Sequence, residues 1–271
     1  MPELPEVESV RRLLRPAMAG HRFTRVEVRR PDLRSPFPRR FAKRLTGETV
    51  QAVNRRAKYL VLPLSSGETL LMHLGMSGWF EVDVTREEPE DARHDHVVFH
   101  MSSGAVVTFN DPRRFGFMDV IAKGRLAAHP ALSTLGPEPL SSQFTAAALA
   151  RGCRGRKTSL KAALLDQKVV AGLGNIYAVE ALHAAGLSPF REASTIATAS
   201  GAPTPAARRL APAVKDVLRE AIARQSRAYR SSRFRVYDRE GERCVRRGCR
   251  GTIERHTQGG RSTFFCPVCQ R

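Results

Sequence analysis

The chain has no apolar run of the ~18 residues a membrane-crossing helix requires, so no membrane association is expected. It is short of acid, with 26 Asp and Glu against 45 Lys and Arg, a formal charge of +19. The first acidic residues, Glu3, Glu6 and Glu8, stand where a secretory leader would be basic and then apolar, so a cytosolic (cytoplasmic) protein is expected. Cysteine is scarce and uneven: Cys153 is alone, while Cys244, Cys249, Cys266 and Cys269 crowd the C-terminal end. In a reducing compartment that crowding suggests a metal site in preference to disulfides. The stretch from Gly172 to Asn175 has two glycines but lacks the third that a dinucleotide fingerprint needs, and no strand-to-helix context precedes it. No nucleotide or redox cofactor is expected.

What is present is basic charge, a real hydrophobic fraction of 42% and a change of texture along the chain. The excess of cations suits a polyanionic partner, although an Arg-rich composition on solvated faces would give the same number. Residues 5–15 place Val7, Val10 and Leu14 at helical spacing, with acid in the first turn and Gly20 beyond. From Phe23 to Val120 the pattern is of short strands: Val26 and Val28, Tyr59 to Leu64, Thr69 to Leu74, Val97 to Met101 and Val106 to Phe109. Turns at Ser65-Ser66-Gly67 and Ser102-Ser103-Gly104 suit hairpins. Beyond about residue 130 the spacing predicts helices over Phe144 to Ala150, Leu160 to Val169, Ile176 to Ala185 and Val214 to Ile222, with a loop from Ala193 to Pro205. The expected fold class is α+β. An N-terminal helix and antiparallel β-sandwich would fill residues 1–130, a helix-turn-helix region 131–232, and a small zinc hairpin 233–271.

Cys244-x4-Cys249 and Cys266-x2-Cys269 offer four soft ligands on two tight turns, the donor set of a closed tetrahedral Zn2+ site. Four thiolates leave no open position, so one structural zinc ion is expected, supplying folding energy that so short a segment could not draw from a core. Thr252 to Ile253 and Thr263 to Phe265 are expected to form the hairpin strands. From Arg233 onward there are ten Arg and four acidic residues, as in a nucleic-acid finger.

Met1-Pro2 is a start from which the initiator methionine is normally removed, exposing the secondary amine of Pro2. An α-amine with pKa near 8 is partly unprotonated at neutral pH. Its attack on a sugar C1′ would give an iminium ion with no N–H to lose, a durable electron sink. Glu3 beside it could carry protons. The same Met-Pro start and the acidic residues after it could equally do no more than start a helix.

The block Met1-Pro2-Glu3-Leu4-Pro5-Glu6-Val7-Glu8 resembles the N-terminal signature of the formamidopyrimidine-DNA glycosylases. Four more blocks resemble that family's motifs in the same order: Arg55 to Leu60, His73 to Gly78, Asn110 to Gly116 and Gly174 to Ala178. The resemblance spans essentially the whole chain. It implies a helix-two-turns-helix middle domain and a bifunctional enzyme acting on damaged double-stranded DNA; the sequence itself shows no sign of an oligomer interface, and a monomer is expected. Oxidised purines would be excised and the strand cleaved by β,δ-elimination. It makes Pro2 the Schiff-base nucleophile, Glu3 the proton donor and acceptor, Lys58 a participant in β-elimination, and Arg261 a phosphate grip active in δ-elimination. His94, Arg113, Lys157 and Asn175 fall at DNA-contact positions. Met76, Arg113 and Phe115 match the trio that fills the void left by an everted base, where an apolar wedge and a cation suit an unstacked helix.

Two departures stand out. The first zinc knuckle has four intervening residues where two is commoner, and the stretch Gln225 to Phe234 is short where many relatives carry a loop over the everted purine. The second departure leads us to expect a weaker grip on 8-oxoguanine than on formamidopyrimidines or other oxidised bases. Two other readings remain: a sister pyrimidine glycosylase of the endonuclease VIII type, and a non-catalytic zinc-ribbon DNA-binding protein.

Overall fold

Helix α1 (Leu4–Met18) begins with a reciprocal cap: the Glu3 N–H donates to Glu6 Oε2 at 2.8 Å, and the Glu3 carboxylate accepts from the Glu6 backbone N–H. Pro5 lies in the first turn, where a missing N–H costs nothing. Leu4, Val7, Leu14, Ala17 and Met18 recur at helical spacing and are all buried. The computed structural model describes residues 2–84, 92–224 and 234–271, which divide into two units, Met1–Ser133 and Thr134–Arg271.

In the first unit, strands β1 (Phe23–Val28), β2 (Asn54–Arg56), β3 (Tyr59–Pro63), β4 (Thr69–His73), β5 (Trp79–Asp83), β6 (Asp95–Met101), β7 (Val106–Asn110) and β8 (Phe117–Ile121) build two antiparallel sheets. Their orders are β1-β6-β7-β5 and β2-β3-β4-β8. Phe23, Phe99, Val107 and Phe109 from one sheet meet Leu60, Leu62, Leu70, Met72 and Val120 from the other, with Val7, Leu14 and Met18 of α1 in the same core. This is the expected helix and sandwich. The strands that sequence patterning did not mark, β2, β5 and β8, all lie at sheet edges. An edge strand has a solvent side and tolerates polar residues such as Glu81 and Asp119, which dilutes its apolar signal. A short helix α2 (Phe41–Leu45), also unmarked, buries only its two ends, Phe41 and Leu45.

The second unit holds α3 (Ala146–Cys153), α4 (Leu160–Leu165), α5 (Asn175–Ala185), α6 (Pro205–Arg224) and the hairpin β9 (Glu254–Gln258) with β10 (Arg261–Phe265). Thr145 and Ser159 cap α3 and α4 by accepting from the Ala148 and Ala162 N–H groups. Helix α4 stops at Leu165 and not near Val169, because the Asp166 carboxylate accepts from the Lys168 N–H at 2.9 Å and turns the chain. The glycine turn that follows is held by Gln167, which donates to the carbonyls of Leu165 and Leu173 and accepts from the Gly172 N–H. Helix α6 extends well before Val214, to Pro205 at its first position. The hairpin strand starts at Glu254, later than the expected Thr252 to Ile253, because β9 and β10 are joined by Gly259 and Gly260, both at positive φ.

Candidate active site and metal centre

Pro2 is half-buried at the foot of α1, and Glu3 is almost fully buried, 2% exposed. The second turn of the helix carries Glu8, whose carboxylate accepts from Arg11 at 2.8 Å and from Arg55 Nε at 3.2 Å. Burial alone would raise the Glu8 pKa, but the two guanidinium groups outweigh it and hold the carboxyl below its ordinary value. Arg55 belongs to β2 and also donates to the Ala57 carbonyl at 2.9 Å. One ion pair therefore pins the start of α1 to the two-residue turn Ala57-Lys58. Ala57 sits in that turn at φ 53, a left-handed conformation that costs a residue with a Cβ about 1 kcal/mol or more. The turn carries Lys58, which is buried at 7% exposure. Across the β3–β4 pair, burial together with the charges of Lys58 and Arg34 pushes His73 down to about 4. A neutral ring suits its contact, since Nδ1 accepts from the Gly75 N–H at 3.0 Å.

The blocks 73–78 and 110–116 form two loops pressed backbone to backbone. A Cβ on Gly75 would stand 2.2 Å from the Phe115 carbonyl carbon, and one on Gly116 would stand 2.9 Å from the His73 oxygen, so glycine is what lets the chains approach. Asp111, fully buried, stitches them: it accepts from Ser77 Oγ at 2.6 Å and from the Gly116 N–H at 2.8 Å, while its own N–H donates to the His94 carbonyl. Ser77 Oγ in turn accepts from the Arg113 N–H at 3.1 Å. What this platform presents outward is Met76, Arg113 and Phe115, with Met76 and Phe115 38% and 44% exposed and the Arg113 guanidinium 4.8 Å over the Phe115 ring. Large apolar side chains left in water on rigid loops mark a contact surface. The four residues His94, Met76, Arg113 and Phe115 thus share one set of packed loops.

In the second unit Asn175 opens α5 but does not cap it; Gly174 holds that position. The Asn175 amide instead donates to the Ser262 carbonyl at 2.9 Å, beside Arg261 at the exposed end of the hairpin. Lys157 stands apart and exposed in the α3–α4 loop. Sequence reasoning missed Lys161. Its Nζ is buried and donates to the same Ser262 carbonyl at 3.2 Å and to Thr263 Oγ1 at 2.6 Å. Burial and the nearby Arg261 push it down to about 8. Glu180 was missed as well: it is buried, and its carboxylate accepts from the backbone N–H groups of Arg235, Val236 and Tyr237 at 2.8 to 3.0 Å, fastening the zinc segment to α5. Lys161 and Glu180 could have been suspected only as charges on the apolar faces of their helices.

The four cysteine sulfurs all lie within 4.8 Å of one another. Cys244 and Cys269 are 3.7 Å apart and Cys249 and Cys266 3.6 Å, close to the edge of a tetrahedron built from Zn–S bonds of about 2.3 Å. Gly251 leaves room for the cluster, since a Cβ there would fall 2.5 Å from Cys266 Sγ. The residues therefore fit one zinc ion held by four thiolates, with a structural role.

Three domain profiles match along the chain: the formamidopyrimidine-DNA glycosylase N-terminal domain over residues 1–118, the H2TH domain of the same enzymes over 135–232, and a zinc finger found in FPG and IleRS over 241–271. A formamidopyrimidine-DNA glycosylase from Bradyrhizobium sp. is 56% identical, both chains being covered completely. Among solved structures, the Thermus thermophilus protein is 39% identical with a TM-score of 0.82, covering 99% of this chain and 98% of its own. The Lactococcus lactis enzyme, bound non-covalently to DNA containing an abasic site, is 31% identical with a TM-score of 0.87 and complete coverage of both chains. With matches across both units and the zinc centre, the chain belongs to the formamidopyrimidine-DNA glycosylase family.

Proposed function

We propose that this enzyme excises oxidised purines from duplex DNA through the amine of Pro2 and then cuts the strand on both sides of the abasic sugar. The observation that carries the reading is the burial of Glu3 directly after Pro2, on a helix pinned by Glu8 and Arg55 to the turn holding buried Lys58. With Met1 removed, the Pro2 nitrogen attacks C1′, the glycosidic bond breaks, and the base departs with a proton that Glu3 helps deliver. The iminium acidifies the C2′ hydrogen. Its loss expels the 3′ phosphate with Lys58 assisting, and a second elimination assisted by Arg261 expels the 5′ phosphate. Met76, Arg113 and Phe115 fill the space the lesion leaves. His94, Lys157 and Asn175 contact DNA, and the zinc holds the hairpin that carries Arg261. The three-part division at residues 130 and 232 is part of this reading. So is a monomer working in the cytoplasm, away from membranes; no helix among the described residues is long and apolar enough to cross one. The lesion preference expected from Gln225 to Phe234 rests on a segment of which residues 225–233 lie outside the described residues.

The test is borohydride trapping on duplexes containing 8-oxoguanine, a formamidopyrimidine or an abasic site, with an oxidised-pyrimidine duplex alongside and mass spectrometry of the amino terminus. Wild type should be trapped on the first three, Pro2→Gly far more weakly because its primary amine gives an imine that deprotonation can neutralise, and Glu3→Gln on the abasic duplex alone. Absence of any adduct with an N-terminal proline confirmed by mass would overturn the reading and leave a DNA-binding protein. Strong trapping on oxidised pyrimidines with none on purines would move the enzyme to the sister class.

A further inference from the structure

Among the described residues the His183 side chain reaches the cysteine sulfurs, and the Arg246 side chain ties their first knuckle to helix α5. His183 lies near the C-terminal end of that helix, 2% exposed, with its Nε2 3.2 Å from Cys244 Sγ and 3.8 Å from Cys269 Sγ. Arg246, inside the four-residue knuckle, donates through its guanidinium to the carbonyls of His183 and Ala184, the latter at 3.2 Å. The cluster has reason to recruit such donors. A zinc ion with four thiolates carries a formal charge of about −2, and each sulfur out of water needs N–H groups to hold its share. The backbone supplies long contacts, from the Arg246 N–H to Cys244 at 3.5 Å and from the Gly251 N–H to Cys249 at 3.4 Å. The imidazole approaches Cys244 more closely than either backbone donor approaches its sulfur.

Tautomer logic decides which way that contact runs. A metal-bound thiolate can only accept, so Nε2 must carry the hydrogen. The other ring nitrogen, Nδ1, is buried and has no hydrogen-bond partner among the described residues. With the proton on Nε2, what is left unpaired is a lone pair. With the proton on Nδ1, the ring would bury an unpaired N–H and aim a lone pair at a sulfur anion, two penalties in place of one.

We propose that His183 is a positioning residue of the zinc centre: its Nε2–H donates to the Cys244 thiolate, slows loss of the metal and, with Arg246, fastens the knuckle to the helix that begins at Asn175. The zinc site and that DNA-contact position then stand at opposite ends of one rod, α5.

The experiment uses the full-length, zinc-loaded protein in two measurements. Long-range proton–nitrogen correlation of the His183 ring in wild type should show the hydrogen on Nε2. Transfer of zinc to a chromophoric chelator should run about 10- to 100-fold faster for His183→Phe than for wild type, with His183→Gln, which keeps a donor N–H, recovering part of the loss. A hydrogen on Nδ1 overturns the proposal, as does wild-type zinc release from His183→Phe. Equal acceleration in the Phe and Gln variants also overturns it, since shape and not donation would then be at work. A nitrogen directly bound to zinc, seen in the ring nitrogen shift and in X-ray absorption as three sulfurs and one nitrogen, would make His183 a ligand and likewise refute it. Should His183→Phe fail to fold, the wild-type tautomer and the Gln variant decide.

Discussion

Replacing Gly75 by alanine should separate the two loops that carry Met76, Arg113 and Phe115, the side chains proposed to fill the void of an everted base. The new Cβ would stand 2.2 Å from the Phe115 carbonyl carbon, 2.3 Å from the Gly116 nitrogen and 2.5 Å from the Phe115 oxygen, against ordinary contacts of 3.4 Å or more. All three neighbours are backbone, so no side chain can swing away, and the loops must part by roughly 1 Å in a region that is otherwise close-packed. The left-handed φ of +63 adds about 1 to 2 kcal/mol for a residue with a Cβ. A stability loss of about 2 to 4 kcal/mol follows, a fall of very roughly 5 to 12 °C in Tm for a chain of this size. A displacement near 1 Å at a positioning surface can cost about a hundredfold in rate. Single-turnover release of 8-oxoguanine should therefore slow about that much, while trapping on an abasic duplex, which has no base to evert, should suffer far less. Gly104→Ala is the control. Its φ is +87 but nothing lies within 4 Å of the new Cβ, so it should lose about 1 kcal/mol and no activity. Wild-type excision and Tm in Gly75→Ala, or equal damage in the two variants, would refute the reasoning.

Lys161→Met should loosen the hairpin turn at Ser262 and lower the share of doubly cleaved product about tenfold relative to singly cleaved product, since hydrogen bonds to a charged donor are worth about 1.5 to 3 kcal/mol. Base release should persist, which gel analysis of the products reads directly. Glu180→Ala should cost about 3 to 5 kcal/mol by stranding three backbone N–H groups, with Glu180→Gln milder, as measured by urea unfolding. For His73 the folded value of about 4 lies below the ordinary 6.5, so the folded state binds fewer protons than the unfolded chain between those limits. The stability it lends is present above pH 6.5 and is lost as the pH falls through about 4, by at most roughly 3 kcal/mol. Wild type should therefore lose stability across that window by more than His73→Gln does.

How much of this was legible in the sequence depended on how locally each feature is encoded. The central strands, helices α1 and α5 and the zinc knuckles announced themselves because a run of neighbours carries the pattern. The edge strands β2, β5 and β8 did not, since half of each faces water, whereas β1, also at an edge, shows itself through Val26 and Val28. Helix α4 was read too long because Asp166 ends it by a side-chain contact that periodicity does not record. The site residues came from short motifs, but what holds them is non-local. Asp111 is read as part of a motif, yet its work is to join loops more than thirty residues apart. Lys161 meets Ser262 and Thr263 across a hundred residues, and nothing in its own segment, Ser159 to Leu165, foretells that partner.

The same burial argues against a protein that merely binds DNA. Phosphate affinity needs cations in water, where they can displace counterions, and Lys157 and Arg261 are of that kind. Glu3 and Lys58 are not. Each gives up most of its hydration, at 2% and 7% exposure, and a carboxyl and an ammonium taken out of water weaken a fold unless the surroundings compensate fully. Replacing both with apolar residues of similar size would often be neutral or stabilising, so structure alone gives no reason to keep them. The chain keeps Glu3 directly after Pro2, holds Lys58 in the strained turn at Ala57, and places Glu8, Arg11 and Arg55 to brace that turn. Lys58→Met should therefore leave Tm equal to wild type or higher while slowing strand cleavage, and Glu3→Met should abolish base release while costing only the ~1 kcal/mol of its helix cap, with duplex affinity at matched salt changed little in both. A large loss of stability in both variants with proportionate loss of every activity would make them structural residues and remove this ground for the catalytic assignment.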